Sequence, residues 1–439
     1  MKIRGLLVAT IVFIVLAGLL YYSNRHKPSE ASANTSAKAP TILKLDEANI
    51  DQLQIKKADS PAIILEKNNG SWQITQPKPY GADQSTINGA LASLSALNSQ
   101  RVVEDKASDL QKYGLAQPAV EVDVTEKNHK TQKVMFGDNT PTGGATYAML
   151  AGDPRIFTVY SYAKNSVDKS LDDWRDKRLL TANPDKISRV ELIRKNQDIE
   201  FGRNKDEWQI LKPKPLRADD SQVSELVRKL TDARMDLSGS GDKEDSSAFV
   251  HGTPVATAKL TDESGTQDLE VRKNKDDYYA KSSIVEGDYK VSSDLGTTLD
   301  KSLDDFRNKK LFDFGFDDPN KIELHVGSKA YYLSRSGEDW WANGKKMDPG
   351  TVQTFISKLR DLSASKFVDS GFKSPATVEA TVTSNDNKRV EKILLSKSGN
   401  DFIAKRENEP ELYQVDSGAV EDIQKAAEDI KPEAATAKK

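Results

Sequence analysis

The sequence predicts an α+β protein: an N-terminal transmembrane helix, then three tandem repeats of about 130 residues, each mostly antiparallel sheet with two helices. Three observations carry this expectation. Asp168–Leu179 (DKSLDDWRDKRL) and Asp300–Leu311 (DKSLDDFRNKKL) agree at nine of twelve positions, the mark of a domain-sized duplication. Gly5–Tyr22 runs 18 residues without a charge. The rest of the chain sets short alternating apolar runs between Gly and Asn turns, broken by segments of helical period.

Composition bounds the function. A chain of 439 residues has room for about three domains of the usual size. With 37% hydrophobic and 30% charged residues it reads as a soluble body, not a polytopic membrane protein. The net charge is −3, and the cations Lys2, Arg4, Arg25 and Lys27 sit at the very start, so the remainder is more acidic still. Nucleic-acid binding needs a concentrated basic face and is not expected. Cysteine is absent, which removes disulfides, thiolate metal sites, thiol nucleophiles and a lipidated Cys.

In chain order, residues 1–27 read as an uncleaved single-pass anchor. At 1.5 Å per residue the uncharged run just crosses a hydrocarbon core, through Leu6, Leu7, Ile11, Phe13, Leu16, Leu20 and Tyr22. A cleaved signal peptide is the competing reading. Its small-x-small candidates, Ala31–Ala33 and Ala37–Ala39, lie well beyond the apolar run, with basic residues between. The expected location is the cytoplasmic membrane, with the C-terminal body outside the cytoplasm. Residues 28–41, rich in Ser, Ala, Lys and Pro, form a flexible linker.

Repeat one (residues 42–182) offers three strands around Ile50–Ile55, Ile63–Leu65 and Trp72–Ile74, with a turn at Asn68-Asn69-Gly70. Asp83 caps a helix with Ile87, Leu91 and Leu94 on one face. Further strands come after Tyr113-Gly114-Leu115, at Val120–Val124, Val134–Phe136, Tyr147–Leu150 and Phe157–Tyr160, with Gly137-Asp138 and Gly143-Gly144 as turns. Val167, Leu171 and Trp174 close the repeat on a helical face. Repeat two (183–313) matches at Trp208, Ile210, Pro213, Asp219, the face Val223, Val227, Leu230, and Pro254. Repeat three (314–430) has Trp340-Trp341, the cap Asp348-Pro349, and the face Val352, Phe355, Ile356, Leu359, but not the twelve-residue motif. Residues 431–439 read as a disordered tail.

The motif is the first candidate for chemistry. Its paired carboxylates could serve acid–base catalysis or hold a cation. Its position argues otherwise, because it occurs only where another repeat comes next. The preferred role is a structural junction built from Leu171, Asp172, Asp173, Trp174 and Arg175, with Leu303, Asp304, Asp305, Phe306 and Arg307 in the second copy. The tryptophans Trp72 and Trp208 read as core anchors. Trp340 and Trp341 are adjacent in a strand, so one of the two faces outward and is the candidate ligand contact. The histidines His26, His129, His251 and His325 form no metal-ligand pattern, and no nucleophile elbow, phosphate loop or dinucleotide fingerprint is present. No cofactor is expected.

The set W-x-I-x-x-P…A-D (Trp72–Asp83), Y-G-L-x-x-P (Tyr113–Pro118), F-G-D (Phe136–Asp138), Tyr147-Ala148 and S-L-D-D-W-R-D-K (Ser170–Lys177) resembles the bacterial DUF4340 family, a domain of unknown function. Repeat two keeps Pro254 but lacks F-G-D, and repeat three lacks the closing motif. The family's genes often lie beside ABC-transporter genes of the gliding-motility type. The resemblance therefore implies an envelope accessory role, with ABC-transporter components among its partners, and brings no catalytic residues. The expectation is a non-enzymatic, membrane-anchored envelope scaffold or accessory component of an ABC-type transport or surface system. The alternatives are a cell-wall or glycan-binding module and a hydrolase using the repeat-end carboxylates.

Overall fold

Val120, Val122 and Val124 are fully buried, whereas Glu121 and Asp123 between them are not. This period-two pattern recurs strand after strand and builds three antiparallel sheets. The structure, a computed structural model, describes residues 41–205, 207–238, 242–314 and 319–434. The chain divides into two compact units, Met1–Lys177 and Arg178–Lys439.

The first unit holds one sheet of nine strands. A four-strand meander, β1 (Ile50–Lys57), β2 (Ser60–Asn68), β3 (Ser71–Gln76) and β4 (Tyr80–Gly81), leads into helix α1 (Gln84–Ser95) and strand β5 (Arg101–Glu104). A second meander, β6 (Val120–Glu126), β7 (Thr131–Asn139), β8 (Ala145–Leu150) and β9 (Ile156–Tyr160), is followed by α2 (Ser161–Val167) and α3 (Leu171–Trp174). The order is β4-β3-β2-β1-β6-β7-β8-β9-β5. The β2–β3 hairpin closes through Asn69 (φ 50°) and Gly70 (φ 87°), with Asn68 opposite Ser71. Left-handed backbone at both turn residues suits the twist of the strands, and Asn-Gly tolerates it. The Asp83 carboxylate accepts from the Thr86 amide at 2.7 Å and starts α1, whose Ile87, Leu91 and Leu94 reach the core. Helix α1 packs on α2, so both helices cover one face of the sheet.

The second unit repeats this plan twice. Its first sheet runs β10 (Arg189–Ile193), β11 (Ile199–Asn204), β12 (Glu207–Lys212), β13 (Leu216–Arg217), α4 (Asp220–Thr231), α5 (Asp242–Val250), β14 (Thr253–Asp262), β15 (Gly265–Asn274), β16 (Asp277–Ser282), β17 (Asp288–Val291), α6 (Ser293–Leu299) and α7 (Leu303–Phe306). It has eight strands, in the order β13-β12-β11-β10-β14-β15-β16-β17. Helix α5 stands beside the exposed side of β17, where Ser246 donates to Asp288 at 2.8 Å and the Lys290 amide donates to Asp245 at 3.3 Å. That helix covers an edge that would otherwise be open.

The last sheet runs β18 (Lys321–Val326), β19 (Lys329–Ser336), β20 (Asp339–Ala342), β21 (Lys345–Lys346), α8 (Pro349–Arg360), β22 (Lys366–Val368), β23 (Val378–Ser384), β24 (Arg389–Ser398), β25 (Asp401–Arg406), β26 (Leu412–Val415) and α9 (Ser417–Glu428). Its order, β21-β20-β19-β18-β23-β24-β25-β26-β22, reproduces that of the first sheet. Each sheet has its own apolar core.

Two expectations are corrected. The α+β class with a membrane-crossing first helix does not describe this architecture. Among the described residues three antiparallel sheets dominate and the helices are few, because most apolar residues there recur at period two and only α1, α4, α8 and α9 carry a sustained helical face. Among the described residues no helix is long and apolar enough to cross a membrane. The expected anchor, with Leu6, Leu7, Ile11, Phe13, Leu16, Leu20 and Tyr22, lies outside the described residues. Second, Gly137-Asp138 is not a turn. It lies inside β7 at a break in register with β8, where Tyr113–Leu115 packs against the strand.

Candidate functional site

The repeated motif is built from a short helix held by its own first residues. The Ser170 amide and hydroxyl donate to the Asp173 carboxylate at 2.9 and 2.7 Å, while the Asp173 amide donates back to the Ser170 hydroxyl at 3.3 Å. This is a reciprocal capping box. The second copy repeats it, with Ser302 donating to Asp305 at 2.8 and 2.7 Å. The serine hydroxyls hold both carboxyls, Asp173 and Asp305, below the ordinary carboxylate range. Asp172 pairs with Arg175 at 3.2 Å, Asp304 with Arg307 at 3.0 Å, and Asp168 with Lys57 at 2.7 Å. Asp168, Asp172, Asp173, Asp304 and Asp305 are therefore each engaged in a structural contact.

The apolar positions face inward. Trp174 and Phe306 are fully buried in the cores of their own sheets, with Leu171 and Leu303 packed against those cores. Phe306 meets Phe201 edge to face at 5.1 Å. The Arg175 guanidinium lies 4.1 Å above the Tyr80 ring, and Arg307 lies 3.4 Å above Phe367.

The backbone just beyond the short helix gives the motif its structural purpose. The Asp83 amide donates to the Trp174 carbonyl at 2.8 Å and the Asp176 amide to the Gly81 carbonyl at 2.8 Å, so residues 174–176 pair with the outer side of β4. The same bonds join Asp219 to Phe306 at 2.8 Å and Asn308 to Arg217 at 3.0 Å beside β13. In the last sheet the chain end does this work. Asp348 donates to Lys431 at 2.9 Å and Glu433 to Lys346 at 3.0 Å, with Pro432 opposite Met347. Residues 431–434, expected to fray, thus belong to the last sheet, and residues 435–439 lie outside the described residues.

The second half of the motif opens the next core. Leu179 and Leu180, then Leu311 and Phe312, are buried at the start of the two sheets of the second unit. The Leu179 amide donates to Ala233 at 3.1 Å and the Leu311 amide to Leu362 at 3.0 Å. Ile42 does the same to Leu97 at 3.0 Å in the first unit. Within the second unit, Arg217 donates to Asp313 at 2.6 Å and to the Lys310 carbonyl at 2.9 Å, and Lys214 pairs with Glu411 at 2.9 Å. The two sheets of that unit are thereby joined beside Arg307 and Asn308.

Trp72, Trp208 and Trp340 are core residues, whereas Trp341 is 37% exposed. Of the adjacent pair, Trp341 is therefore the outward-facing one, and it lines a groove of about 230 Å³ with Tyr332 and Asn343. Among the described residues no three His, Asp or Glu side chains gather as a metal-ligating group.

Several buried groups escape sequence reading. Arg194 donates to the Lys301 carbonyl at 2.5 Å, and burial pushes its guanidinium below the ordinary value. Its equivalent in the first sheet is Lys57, so a cation ending the first strand and reaching the motif was the available signal. Arg406 contacts Glu391, Asp313 and Glu409 at 3.1, 3.4 and 2.8 Å and donates to the Leu311 carbonyl, with no sequence pattern to announce it. Burial pushes the nearby Tyr413 phenol up to about 12.

The motifs Y-G-L and F-G-D resolve into one contact. A Cβ at Gly137 would overlap the Tyr113 carbonyl, and one at Gly114 would overlap the Asp138 carboxylate. The second repeat lacks both motifs, so both sides of this contact are missing there together.

No curated protein and no solved structure matches this chain. The family described as Domain of unknown function (DUF4340) matches it over residues 72–246 and 208–381. The two matches start at Trp72 and Trp208, which hold equivalent places in their sheets, and each runs on past the twelve-residue motif into the next sheet. With more than half its length so matched, the chain belongs to the DUF4340 family.

Proposed function

We propose that the protein is a non-enzymatic envelope component, a scaffold or accessory part of an ABC-type transport or surface system. One observation carries the non-enzymatic reading. The most chemically suggestive motif uses Asp172, Asp173, Asp304 and Asp305 for caps and ion pairs, and its apolar residues to close one sheet and open the next. Exposed strand faces and short, covered edges suit a body that presents surface to partners. The uncharged Gly5–Tyr22 stretch and the family resemblance support attachment to the cytoplasmic membrane, with the body on the outer side and ABC-transporter components among the partners.

Affinity capture from detergent-solubilised membranes, through a tag after Lys439, tests the partner claim. Transporter subunits should co-purify, and their absence from every stringent capture counts against it. A reporter fused after Lys439 and active only in the cytoplasm would overturn the location. A turnover activity of the purified body that one side-chain change abolishes would overturn the non-enzymatic reading.

A second reading is favoured by Trp341. A large exposed aromatic on a sheet face suits a cell-wall or glycan-binding module. Co-sedimentation with insoluble peptidoglycan tests it.

A further inference from the structure

We propose that the outer face of the last sheet is a binding site for sugar rings of a neutral glycan, with Trp341 and Tyr332 as its stacking platform. The proposal rests on the second reading above and gives it a place and a ligand class.

Register puts the two aromatics on one face, and both line the same groove. Trp341 lies opposite Ser334, Tyr332 lies two residues from Ser334 on the same face, and the two aromatics are diagonal neighbours across β19 and β20. Diagonal neighbours are within reach of aromatic side chains. Tyr332 is 53% exposed, and its ring stands perpendicular to that of His325 with the centroids 5.5 Å apart. The β20–β21 turn, with Asn343 at φ 50° and Gly344 at φ 73°, forms one wall of the groove.

The platform is a departure from the repeat. Trp340 pairs with Arg335 as Trp72 pairs with Lys67 and Trp208 with Arg203. Trp341 therefore stands where the other sheets have Gln73 and Gln209, and Tyr332 where they have Ile64 and Glu200. Core positions follow the repeat, whereas a site confined to one sheet must break it.

The surrounding chemistry selects the ligand. Aromatic faces accept the C–H face of a pyranose, and its hydroxyls need paired donors and acceptors. Ser334 and Asn343 supply both kinds, and Lys321 and Glu323 line the same groove with opposite charges. That balance suits an uncharged, hydroxyl-rich ligand better than a phosphate or an acidic polymer. An added peptide strand is disfavoured, because the adjoining outer side of β21 is already taken by Pro432 and Glu433.

Intrinsic fluorescence of the full-length protein is the test. Of five tryptophans, Trp72, Trp174, Trp208 and Trp340 are buried, so a ligand-dependent change reports on Trp341. The probes are maltoheptaose, cellohexaose and hexameric N-acetylglucosamine, with heparin and a proline-rich peptide as contrasts. At least one neutral oligosaccharide should give a saturable change. Trp341→Gln, which installs the residue of the other two sheets and so keeps the fold, should abolish it. Tyr332→Ala should weaken it severalfold, and Gln209→Ala should leave it unchanged. No saturable response to any neutral oligosaccharide, a response confined to heparin or the peptide, or an undiminished response in Trp341→Gln each overturns the site. If Trp341→Gln still pellets with peptidoglycan while the oligosaccharides give no response, the site is wrong and the glycan-binding reading survives. Failure of both measurements removes both.

Discussion

At Trp174 and Asp172, two residues apart in one motif, packing and charge make separable contributions. Trp174 fills the core of its sheet, and truncating a buried tryptophan costs about 3–5 kcal/mol. Asp172 is half exposed, and an ion pair in that setting contributes about 0.2–1 kcal/mol. Trp174→Ala should therefore shift the denaturant midpoint of the first unit strongly, and Asp172→Asn should barely move it. Phe306→Ala and Asp304→Asn should rank the same way, and the opposite ranking in urea unfolding would restore a chemical role to the carboxylates. Much at this scale was legible in the sequence. Asp83, Asp219 and Asp348 cap the helices they precede, and the faces Ile87–Leu94, Val223–Leu230 and Val352–Leu359 are buried, because caps and amphipathic periods are local. Gly114 and Gly137 were not legible as a pair, since their constraint is a contact between segments that a linear pattern does not join.

The capping boxes link the short helices α3 and α7 to pH. The serine hydroxyls depress the Asp173 and Asp305 carboxyls, so the folded values lie below the unfolded value of about 3.9. A depressed carboxyl contributes stability that is complete above its unfolded pKa and is lost as pH falls through the folded one. Ser170→Ala or Ser302→Ala should each cost about 1 kcal/mol at pH 7. The gap from wild type should stay constant above about pH 4 and narrow only as pH falls from there through the lower folded values. A gap independent of pH in urea titrations at both conditions would contradict this. The element that sequence reading lost is the partner of the two-residue strands β4, β13 and β21. Such strands are too short to show a period, and their partner pairs through backbone, so Arg175, Arg307 and Pro432 can occupy the same place with no shared chemistry. A chain ending at Ile430 should expose the Asp348 amide to rapid hydrogen exchange, whereas one ending at Ala434 should protect it as the full chain does. Equal protection in both would show that the end segment contributes nothing to the last sheet.

For the whole molecule, the boundary that matters falls inside the motif. The core of the first unit ends with Trp174 and that of the next sheet begins with Leu179, so only Arg175–Arg178 lie between them. The chain divides between its two compact units at the same boundary, after Lys177. Residues 41–177 should therefore fold alone, with a cooperative thermal transition and near-UV circular dichroism from a fixed Trp174. Ending the fragment at Val167 removes Trp174 and the segment that covers β4. That shorter fragment should show near-native far-UV signal, weak near-UV signal and no sharp transition. The last sheet should not tolerate the equivalent cut. Leu311, Phe312 and Phe314 belong to its core, and Arg406 holds Asp313 and the buried Glu391 in one charged cluster. A fragment of residues 319–434 would leave that arginine and carboxylate without Asp313 and the core without three large side chains, so it should aggregate or remain molten, whereas 178–439 should fold. Cooperative unfolding of 319–434 alone would place the boundary after the motif, and would mean that the motif's second half serves as a linker rather than as the first layer of the next core.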